Sequence, residues 1–427
     1  MKLIIYPATF LLFLCFYPLL FAQDSLQNPT LLVGMDTTFL SQKIDSIVEL
    51  GLSEEAFPGC QVLVARNGET VFQKAYGFHT YEQNLAVELN HLYDLASISK
   101  ISAALPLLMQ LYEEEKIKLD EPFATYWDDF QGTDKEKMTV REVLAHQAQL
   151  KPYIVYWANA VKKNGKFKWR TFKEKPKKKY SVKVSDSLFL HEKYRKKIYK
   201  AIKKSALEPV REYKYSGLSF LLYPQIIENL TGQEMESRVR ERFYGPLGAD
   251  RLTFNPWNKF PMEEIVPSEF DSVFRKRLVQ GYVHDEAAAM LGGVSGNAGL
   301  FANAESLAKL IQMYLNGGEY EGKRYLKEET LQEFTSYQFK DEGSRRGLGF
   351  DKPRLEDLEN GFPAVAASER SFGHSGFTGT FTWADPENGL LLVFLSNRVY
   401  PTRTNRKTYQ LEIYQQIHEA MYEAIKE

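Results

Sequence analysis

A serine and a lysine three residues apart, Ser97 and Lys100, are the side chains best suited to chemistry. On a helix this spacing places both residues on one face, so the amine can lie beside the hydroxyl. A serine hydroxyl is a poor nucleophile near neutral pH and needs a neighbour that takes its proton. A helix start also offers backbone N–H groups to a developing oxyanion. The pair therefore predicts nucleophilic acyl transfer, but S-x-x-K alone is a frequent chance match.

Two further segments carry candidate site residues. The first is Tyr213-Lys214-Tyr215-Ser216-Gly217, in which the phenol of Tyr215 could take a proton and later return it to a leaving group. The second is Phe372-Gly373-His374-Ser375-Gly376-Phe377, which precedes a predicted terminal strand. Taken alone, Tyr215 would be one more core tyrosine in a chain with 25 tyrosines. Its interpretation therefore depends on the other two segments.

In order, spacing and context, the three segments resemble the superfamily of serine β-lactamases, DD-peptidases and esterases. That superfamily has S-x-x-K at a helix start, Y-x-N on a loop of a helical lobe, and K-T-G or H-x-G on an edge strand. The similarity covers about residues 36–427 and extends beyond the motifs. It includes Phe57-Pro58-Gly59-Cys60, Leu144-Ala145-His146, and Gly281 to Asp285 followed by Leu291 to Leu300. The last of these segments is similar to β-lactamase-like modules attached to bacterial cell-wall glycosidases.

The resemblance implies a role for each motif residue. It implies that Ser97 is the acylated nucleophile and that Lys100 and Tyr215 together act as its base. Backbone N–H groups of Ser97 and Phe377 would bind the oxyanion. Ser375 and Gly376 would line the strand on which the substrate lies.

Two positions depart from the superfamily pattern. Gly217 stands where Y-x-N has an asparagine, whose side chain normally holds the acyl amide of the substrate. His374 stands where K-T-G has a lysine, and histidine is only partly charged near neutral pH. Both changes weaken the case for efficient β-lactam hydrolysis and suit an esterase or a peptidase of another specificity.

Other candidate ligands point to structure rather than chemistry. His146 and His284 lie next to apolar residues, and such histidines are most often packed and hydrogen-bonded. No pair of Cys or His residues has zinc spacing such as H-E-x-x-H or C-x-x-C. We therefore expect neither a metal nor a cofactor.

The elements that position these residues predict an α+β fold of the β-lactamase/transpeptidase type. Asn67-Gly68 and Asp385-Pro386-Glu387-Asn388-Gly389 each connect two apolar runs and predict hairpins near the two chain ends. Apolar residues recur at helical spacing in residues 36–50, 97–117, 218–230, 304–315 and 408–425, which predicts helices there. We expect an antiparallel sheet formed by both chain ends (36–96 and 330–427), flanked by helices, with an inserted all-helical lobe (97–329). Pro106 should kink the helix that starts at Ser97.

Charge is balanced overall but not locally. The formal net charge is -1, which gives no general attraction to nucleic acid or anionic membranes. Residues 162–204 are nevertheless rich in lysine, including Lys177-Lys178-Lys179. A nucleic-acid-binding arm is one interpretation. Recurring aromatic and aliphatic residues favour instead a solvated insertion with one amphipathic helix near 192–204, so we expect no nucleic-acid partner.

The N-terminus has the pattern of an export signal. Lys2 precedes an apolar run from Leu3 to Phe21, and Ala22 is followed by polar residues. We expect cleavage after residue 22, a periplasmic or extracellular location, and no stable membrane span afterwards. An uncleaved anchor is the alternative, because the run is long enough to cross a bilayer. Cys60 would then be the remaining cysteine, and its sequence context predicts a small buried side chain.

These observations lead to an acyl-enzyme serine hydrolase. Its substrate would be a small-molecule ester, a β-lactam or a D-amino-acid amide, including peptidoglycan fragments. The alternative is an inactive, penicillin-binding-like protein that binds cell-wall peptides, suggested by Gly217. An α/β-hydrolase is disfavoured because the chain has no G-x-S-x-G.

Overall fold

The computed structural model describes residues 33–354 and 363–426. Its central element is a five-stranded antiparallel sheet in the spatial order β3-β4-β5-β1-β2. Two strands come from the N-terminal part and three from the C-terminal part: β1 (Gly59–Arg66), β2 (Glu69–Gly77), β3 (Phe372–Gly376), β4 (Thr380–Asp385) and β5 (Leu390–Ser396). The predicted α+β fold, with one sheet built by both chain ends, is confirmed.

The two hairpins form where the turn chemistry predicts them. Asn67 and Gly68 have φ values of 51° and 86°, as a tight turn between two twisted strands requires. β1 pairs with β5 over the whole strand, from Cys60 opposite Ser396 to Arg66 opposite Leu390. This pairing joins the N-terminal hairpin to the C-terminal strands in one open sheet, so the first and last parts of the chain lie side by side.

Helices cover both faces of the sheet, which explains why β4 and β5 are buried along their whole length. The longer helices are α1 (Thr37–Ser53), α2 (Leu105–Glu113), α3 (Tyr194–Lys204), α4 (Tyr223–Thr231), α5 (Ala304–Leu315), α6 (Glu328–Thr335) and α7 (Ile413–Glu423). On one face α1 and α7 enclose a core in which the rings of Phe381, Trp383 and Tyr414 stack. On the other face α5 packs against β5, and the core continues into the inserted segment.

The inserted segment is mainly helical but also contains short sheets that the sequence analysis did not predict. Three-stranded pieces are formed by Tyr93–Asp94, Leu300–Ala302 and Thr253–Phe254, and by Phe172–Lys173, Leu188–Leu190 and Val182–Ser185. Two-stranded pieces are Glu269–Asp271 with Arg277–Val279 and Glu319–Tyr320 with Lys323–Arg324. The shorter helices are Val140–Leu144, Met235–Val239, Glu286–Met290 and Lys407–Gln410.

The helix predicted from residue 97 is a composite of three helical types. A 3-10 turn (Ala96–Ile98) and a π turn (Lys100–Ala104) precede α2. Pro106 has no N–H to bond the carbonyl of Ser102, and that carbonyl accepts instead from the Tyr244 hydroxyl at 2.7 Å. The carbonyl of Ile101 accepts from the Tyr314 hydroxyl at 2.8 Å. The expected kink at Pro106 is thus a widened turn just before it, stabilised by two buried tyrosines.

The lysine-rich segment is folded, as predicted. Its helix α3 lies at the expected place and buries Tyr194, Ile198 and Ile202. Cys60 is buried in β1 and is a free thiol. Among the helices of the described residues, none is both long and apolar enough to cross a bilayer. The predicted signal segment, residues 1–22, lies outside the described residues.

Candidate active site

Ser97 is held at the junction between the sheet and the helical segment. The preceding residue, Ala96, has a φ of 46°, and its N–H donates to the carboxylate of Asp94 at 2.8 Å. The hydroxyls of Thr378 and Thr380 donate to the carbonyls of Asp94 and Leu95 at 2.6 and 3.0 Å. These bonds fix the turn that carries Ser97 against the end of β3 and the start of β4. Ser97 itself is half-buried.

Lys100 is the central cation of the site. Its Nζ donates to Ser97 Oγ at 2.9 Å and to the backbone carbonyl of Asn297 at 3.0 Å. The side chain is almost wholly buried, and no carboxylate within the described part of the chain forms an ion pair with it. A buried amine that is bonded to the serine hydroxyl and to no carboxylate lies where a proton acceptor for Ser97 is needed.

The ring of Tyr215 lies beside this pair. Its centroid is 5.2 Å from Lys100 Nζ and 4.6 Å from the centroid of the His146 ring. The hydroxyl of Tyr215 is buried and has no hydrogen-bond partner among the described residues. A buried phenol without a partner costs stability unless a ligand or reacting group completes it.

His374 lies on β3, and its ring centroid is 5.9 Å from that of Tyr215. All three motifs therefore meet at one place. Burial, together with the charges of Arg346 and Lys100, holds the pKa of His374 well below its ordinary value. Its Nδ1–H donates to the carbonyl of Ser375 at 2.7 Å, which leaves Nε2 without a described partner. His374 is therefore neutral at physiological pH and supplies no cation at the position of the usual lysine.

The rest of the third motif shapes the edge of the cleft. A Cβ on Gly376 would lie 2.0 Å from Thr380 Oγ1 and 2.4 Å from the carbonyl of Leu95, so only glycine lets the strand pass the turn of Ser97. Ser375 is half-buried, and the side chain of Phe377 is exposed. The Phe377 carbonyl accepts from Arg398 Nη2 at 2.5 Å, which fixes the backbone just after the strand.

Two residues outside the three motif segments also lie near Tyr215. Arg346 is fully buried, pairs with Asp351 at 3.1 Å, and lies with its guanidinium carbon 5.7 Å from the Tyr215 ring centroid. It comes from a loop without helical or strand periodicity, so the sequence offered no signal for it. His146 was predicted as a packed structural histidine. Its Nδ1 accepts from the Ser216 N–H at 3.3 Å, and burial lowers its pKa well below the usual value, as do the charges of Arg346 and Lys100.

Gly217 faces a third such residue, Asn297. A Cβ on Gly217 would have only the Cβ of Asn297 near it, at 4.0 Å. Asn297 belongs to the glycine-rich segment 292–299, which lies within the stretch that carries the family resemblance. Gly292, Gly293 and Gly299 have positive φ values, so the chain turns sharply here. The turn brings a backbone carbonyl to Lys100 and an amide side chain to the place opposite Gly217.

A model of the family described as "Beta-lactamase" matches residues 42–415. The chain belongs to the β-lactamase family. Among curated relatives of this family member, a protein of Escherichia coli O157:H7 is 30% identical over 386 residues, which are 84% of this chain and 81% of the relative. One of Salmonella agona is 30% identical over 402 residues, 88% and 86% of the two chains. Both carry the provisional name D-alanyl-D-alanine carboxypeptidase.

Solved structures agree on the fold. EstCE1, a hydrolase with promiscuous acyltransferase activity, superposes with a TM-score of 0.63 at 16% identity over 90% of this chain and 99% of its own. A penicillin-binding protein homologue from Caulobacter crescentus gives a TM-score of 0.61 at 18% identity over 90% and 97%. Together with the family, these neighbours identify the protein as a serine hydrolase.

Tyr215→Phe should separate stability from activity. Removal of a buried hydroxyl without a partner should leave the free energy of unfolding unchanged or raise it by up to about 1 kcal/mol. Loss of a proton-transfer group should lower kcat/KM for an ester substrate by about 100- to 10,000-fold. Tyr414→Phe is the matched control, because its hydroxyl is also buried without a described partner but belongs to α7, in the core on the other side of the sheet. Equal losses of activity in both variants would contradict a role for the Tyr215 hydroxyl in proton transfer.

The two buried imidazoles should make stability depend on pH. The folded protein keeps His146 and His374 neutral, whereas the unfolded chain protonates them below about pH 6.5. Unfolding therefore takes up protons, and the free energy of unfolding falls as the pH drops below that value. Each imidazole contributes up to about 1.4 kcal/mol per pH unit.

Urea unfolding of the wild type and of His374→Gln, at about pH 5.5 and about pH 7.5, measures this contribution. The wild type should lose more stability between the two pH values than the variant does. Identical losses would show that His374 is protonated in the folded protein as readily as in the unfolded chain.

Proposed function

We propose that the protein hydrolyses its substrate through an acyl-enzyme formed on Ser97. The observation that carries this proposal is the 2.9 Å hydrogen bond from Lys100 Nζ to Ser97 Oγ, beside the unpartnered hydroxyl of Tyr215. A serine bonded to a buried amine, with a phenol ring 5.2 Å from that amine, has the neighbours that an activated nucleophile needs. Lys100 and Tyr215 together act as the base.

The first half of the reaction forms the acyl-enzyme. Ser97 Oγ attacks the substrate carbonyl carbon, and its proton passes to the base formed by Lys100 and Tyr215. Backbone N–H groups of Ser97 and Phe377 bind the oxyanion of the tetrahedral intermediate. When that intermediate collapses, the bond to the leaving group breaks and the leaving group takes up the same proton from Tyr215. In the second half, a water molecule attacks the acyl carbon while the same base takes its proton. The bond to Ser97 Oγ then breaks, Oγ takes up that proton, and the acid is released.

The substrate class that we propose is a D-amino-acid amide from cell-wall peptides. Support comes from the two relatives, which are 30% identical over most of both chains and provisionally named D-alanyl-D-alanine carboxypeptidase. The strand β3, with Ser375 and Gly376 at its end, would hold an extended peptide, as an edge strand does. An exported protein with the predicted signal at residues 1–22 would meet such peptides in the periplasm or outside the cell.

An esterase is the second candidate, and the neutral His374 favours it. Where a strand lysine would attract a substrate carboxylate at all ordinary pH values, the depressed pKa of His374 leaves that position uncharged. A charge-assisted hydrogen bond of this kind contributes about 1.5–3 kcal/mol. An uncharged ester makes no such bond and would bind as well without the lysine. A peptide with a C-terminal carboxylate would bind more weakly.

An inactive peptide-binding protein is the remaining alternative, and it is motivated by Gly217. The contact between Ser97 and Lys100 opposes it, because a pure binding protein has no need for an activated hydroxyl.

Release of D-alanine from an N-acylated D-alanyl-D-alanine peptide tests the proposal, with p-nitrophenyl acetate as the ester and the L,L-peptide as the stereochemical control. We expect the wild type to release D-alanine and to leave the L,L-peptide intact. Ser97→Ala should lose turnover of every substrate while it still binds the D,D-peptide. Cleavage of the ester alone would select the esterase. Peptide binding without turnover of any substrate would select the inactive protein.

A further inference from the structure

We propose that the lysine-rich insertion, residues 162–204, is a docking surface for the headgroups of an anionic phospholipid bilayer. The insertion holds 18 Lys and Arg residues against three Asp and Glu, a net charge of +15. The whole chain has a net charge of -1, so the remainder carries -16. Such separation of charge creates a strong local potential that the balanced composition conceals.

The fold leaves this charge on the surface. Fifteen of the 18 cationic side chains are exposed, and none is buried. The helix α3 turns Tyr194, Ile198 and Ile202 inward, so that its lysines face solvent. Within the described residues the one ion pair made by the insertion joins Lys203 to Asp129 at 3.3 Å. The positive charge is thus almost uncompensated by the protein itself.

Several of these cations converge on one cavity. Arg170, Lys179, Lys193 and Lys197 line a depression of about 510 Å³, whose floor includes the edge-to-face pair of Tyr180 and His191. No carboxylate lines it. Arginine and lysine donors around a cavity of this size suit a phosphate headgroup, which accepts several charge-assisted hydrogen bonds at once.

Trp169 favours a bilayer over a soluble polyanion. Its side chain is 73% exposed, and the guanidinium of Arg170 lies 3.8 Å from its ring centroid. An exposed indole flanked by cations matches the membrane–water interface, where tryptophan inserts at headgroup level and cations meet anionic lipids. A surface for single-stranded nucleic acid would be expected to expose several rings for stacked bases, whereas Trp169 is the one exposed aromatic residue of the insertion. Because the apolar face of α3 is already buried, the contact would be peripheral.

Co-sedimentation with vesicles tests this surface in the full exported chain. We expect binding to vesicles that contain phosphatidylglycerol, no binding to pure phosphatidylcholine, and release by added salt. Replacing four cations of the cavity should weaken binding at least about tenfold, since each contributes to the attraction: Arg170→Gln, Lys179→Gln, Lys193→Gln and Lys197→Gln. Trp169→Ala alone should also weaken it and should remove a blue shift of tryptophan fluorescence on binding.

A variant with the same change of net charge is the control. It replaces four exposed lysines outside the insertion: Lys116→Gln, Lys118→Gln, Lys137→Gln and Lys327→Gln. We expect this variant to bind anionic vesicles like the wild type, and both quadruple variants to hydrolyse a soluble ester at the wild-type rate. Equal loss in the two variants, or equal binding to neutral and anionic vesicles, would overturn the proposal. Tighter binding to duplex DNA than to anionic vesicles would also overturn it and would identify a nucleic acid as the ligand of this surface.

A separate observation concerns Gly217, and this second inference rests on the proposed function. We infer that the side-chain amide of Asn297 supplies the hydrogen bond to the substrate's acyl amide that an asparagine at position 217 would make. The Cβ of Asn297 lies 4.0 Å from where a Cβ of Gly217 would be, so the two positions adjoin one another and the amide of Asn297 starts within reach of that region.

The contacts of Asn297 fix this amide. Its backbone carbonyl accepts from Lys100 Nζ at 3.0 Å, and its side-chain oxygen accepts from Ser295 Oγ at 2.7 Å. These two bonds leave the Nδ2 group as a donor with no described partner. A donor held beside the nucleophile's lysine is placed to bind a carbonyl oxygen of the acyl group.

Asn297→Ala, Gly217→Asn and the double variant test the assignment on two substrates. For an N-acylated D-alanyl ester, which has an acyl amide, Asn297→Ala should lower kcat/KM about tenfold, and Gly217→Asn should restore it in the double variant. For p-nitrophenyl acetate, which has no acyl amide, the same substitutions should change kcat/KM much less than they do for the D-alanyl ester.

Equal losses on both substrates would show that Asn297 only positions Lys100 and would overturn this inference alone. Failure of Gly217→Asn to restore the first substrate would count against it as well. If the wild type turned over neither substrate, the proposed function would fail instead, so the two failures can be told apart.

Discussion

The buried ammonium of Lys100 is the constraint around which the site is built. It is removed from water, yet its two close acceptors, Ser97 Oγ and the Asn297 carbonyl, are uncharged. A buried charge without a carboxylate is costly, and the surrounding rings and carbonyls must compensate. The same arrangement holds the amine in contact with the hydroxyl of Ser97. Stability is therefore given up at the point where the serine needs a neighbour that takes its proton.

The rest of the fold holds the partners of Lys100 in register. The hydroxyls of Tyr244 and Tyr314 donate hydrogen bonds to the carbonyls of Ser102 and Ile101 in the π turn. These bonds stabilise the irregular backbone inside the core. Thr378 and Thr380 tie the turn of Ser97 to the sheet. Nucleophile, lysine and strand thus belong to one connected network, although they come from opposite ends of the chain.

Much of this arrangement could be predicted from the sequence, because it depends on local patterns. Asn67-Gly68 fixes a hairpin, the periodicity of 304–315 coincides with α5, and three spaced motifs indicate one site. Arg346 and the position of Asn297 could not be predicted. Both reach the site through long-range packing of loops. Arg346 has no periodic or motif signal, and the resemblance of 291–300 to known modules assigned no role to Asn297. The π turn was likewise missed, since it depends on tyrosines more than 140 residues away.

The most direct test of the account is the rate at which a fluorophosphonate labels Ser97, followed by peptide-mapping mass spectrometry in the wild type and in Lys100→Met. Methionine is close to lysine in volume, so the variant removes the amine with little change in packing. We expect a single adduct on Ser97 in the wild type and labelling at least about 100-fold slower in the variant. An adduct on another residue, or an unchanged rate in Lys100→Met, would contradict the claim that Lys100 activates Ser97.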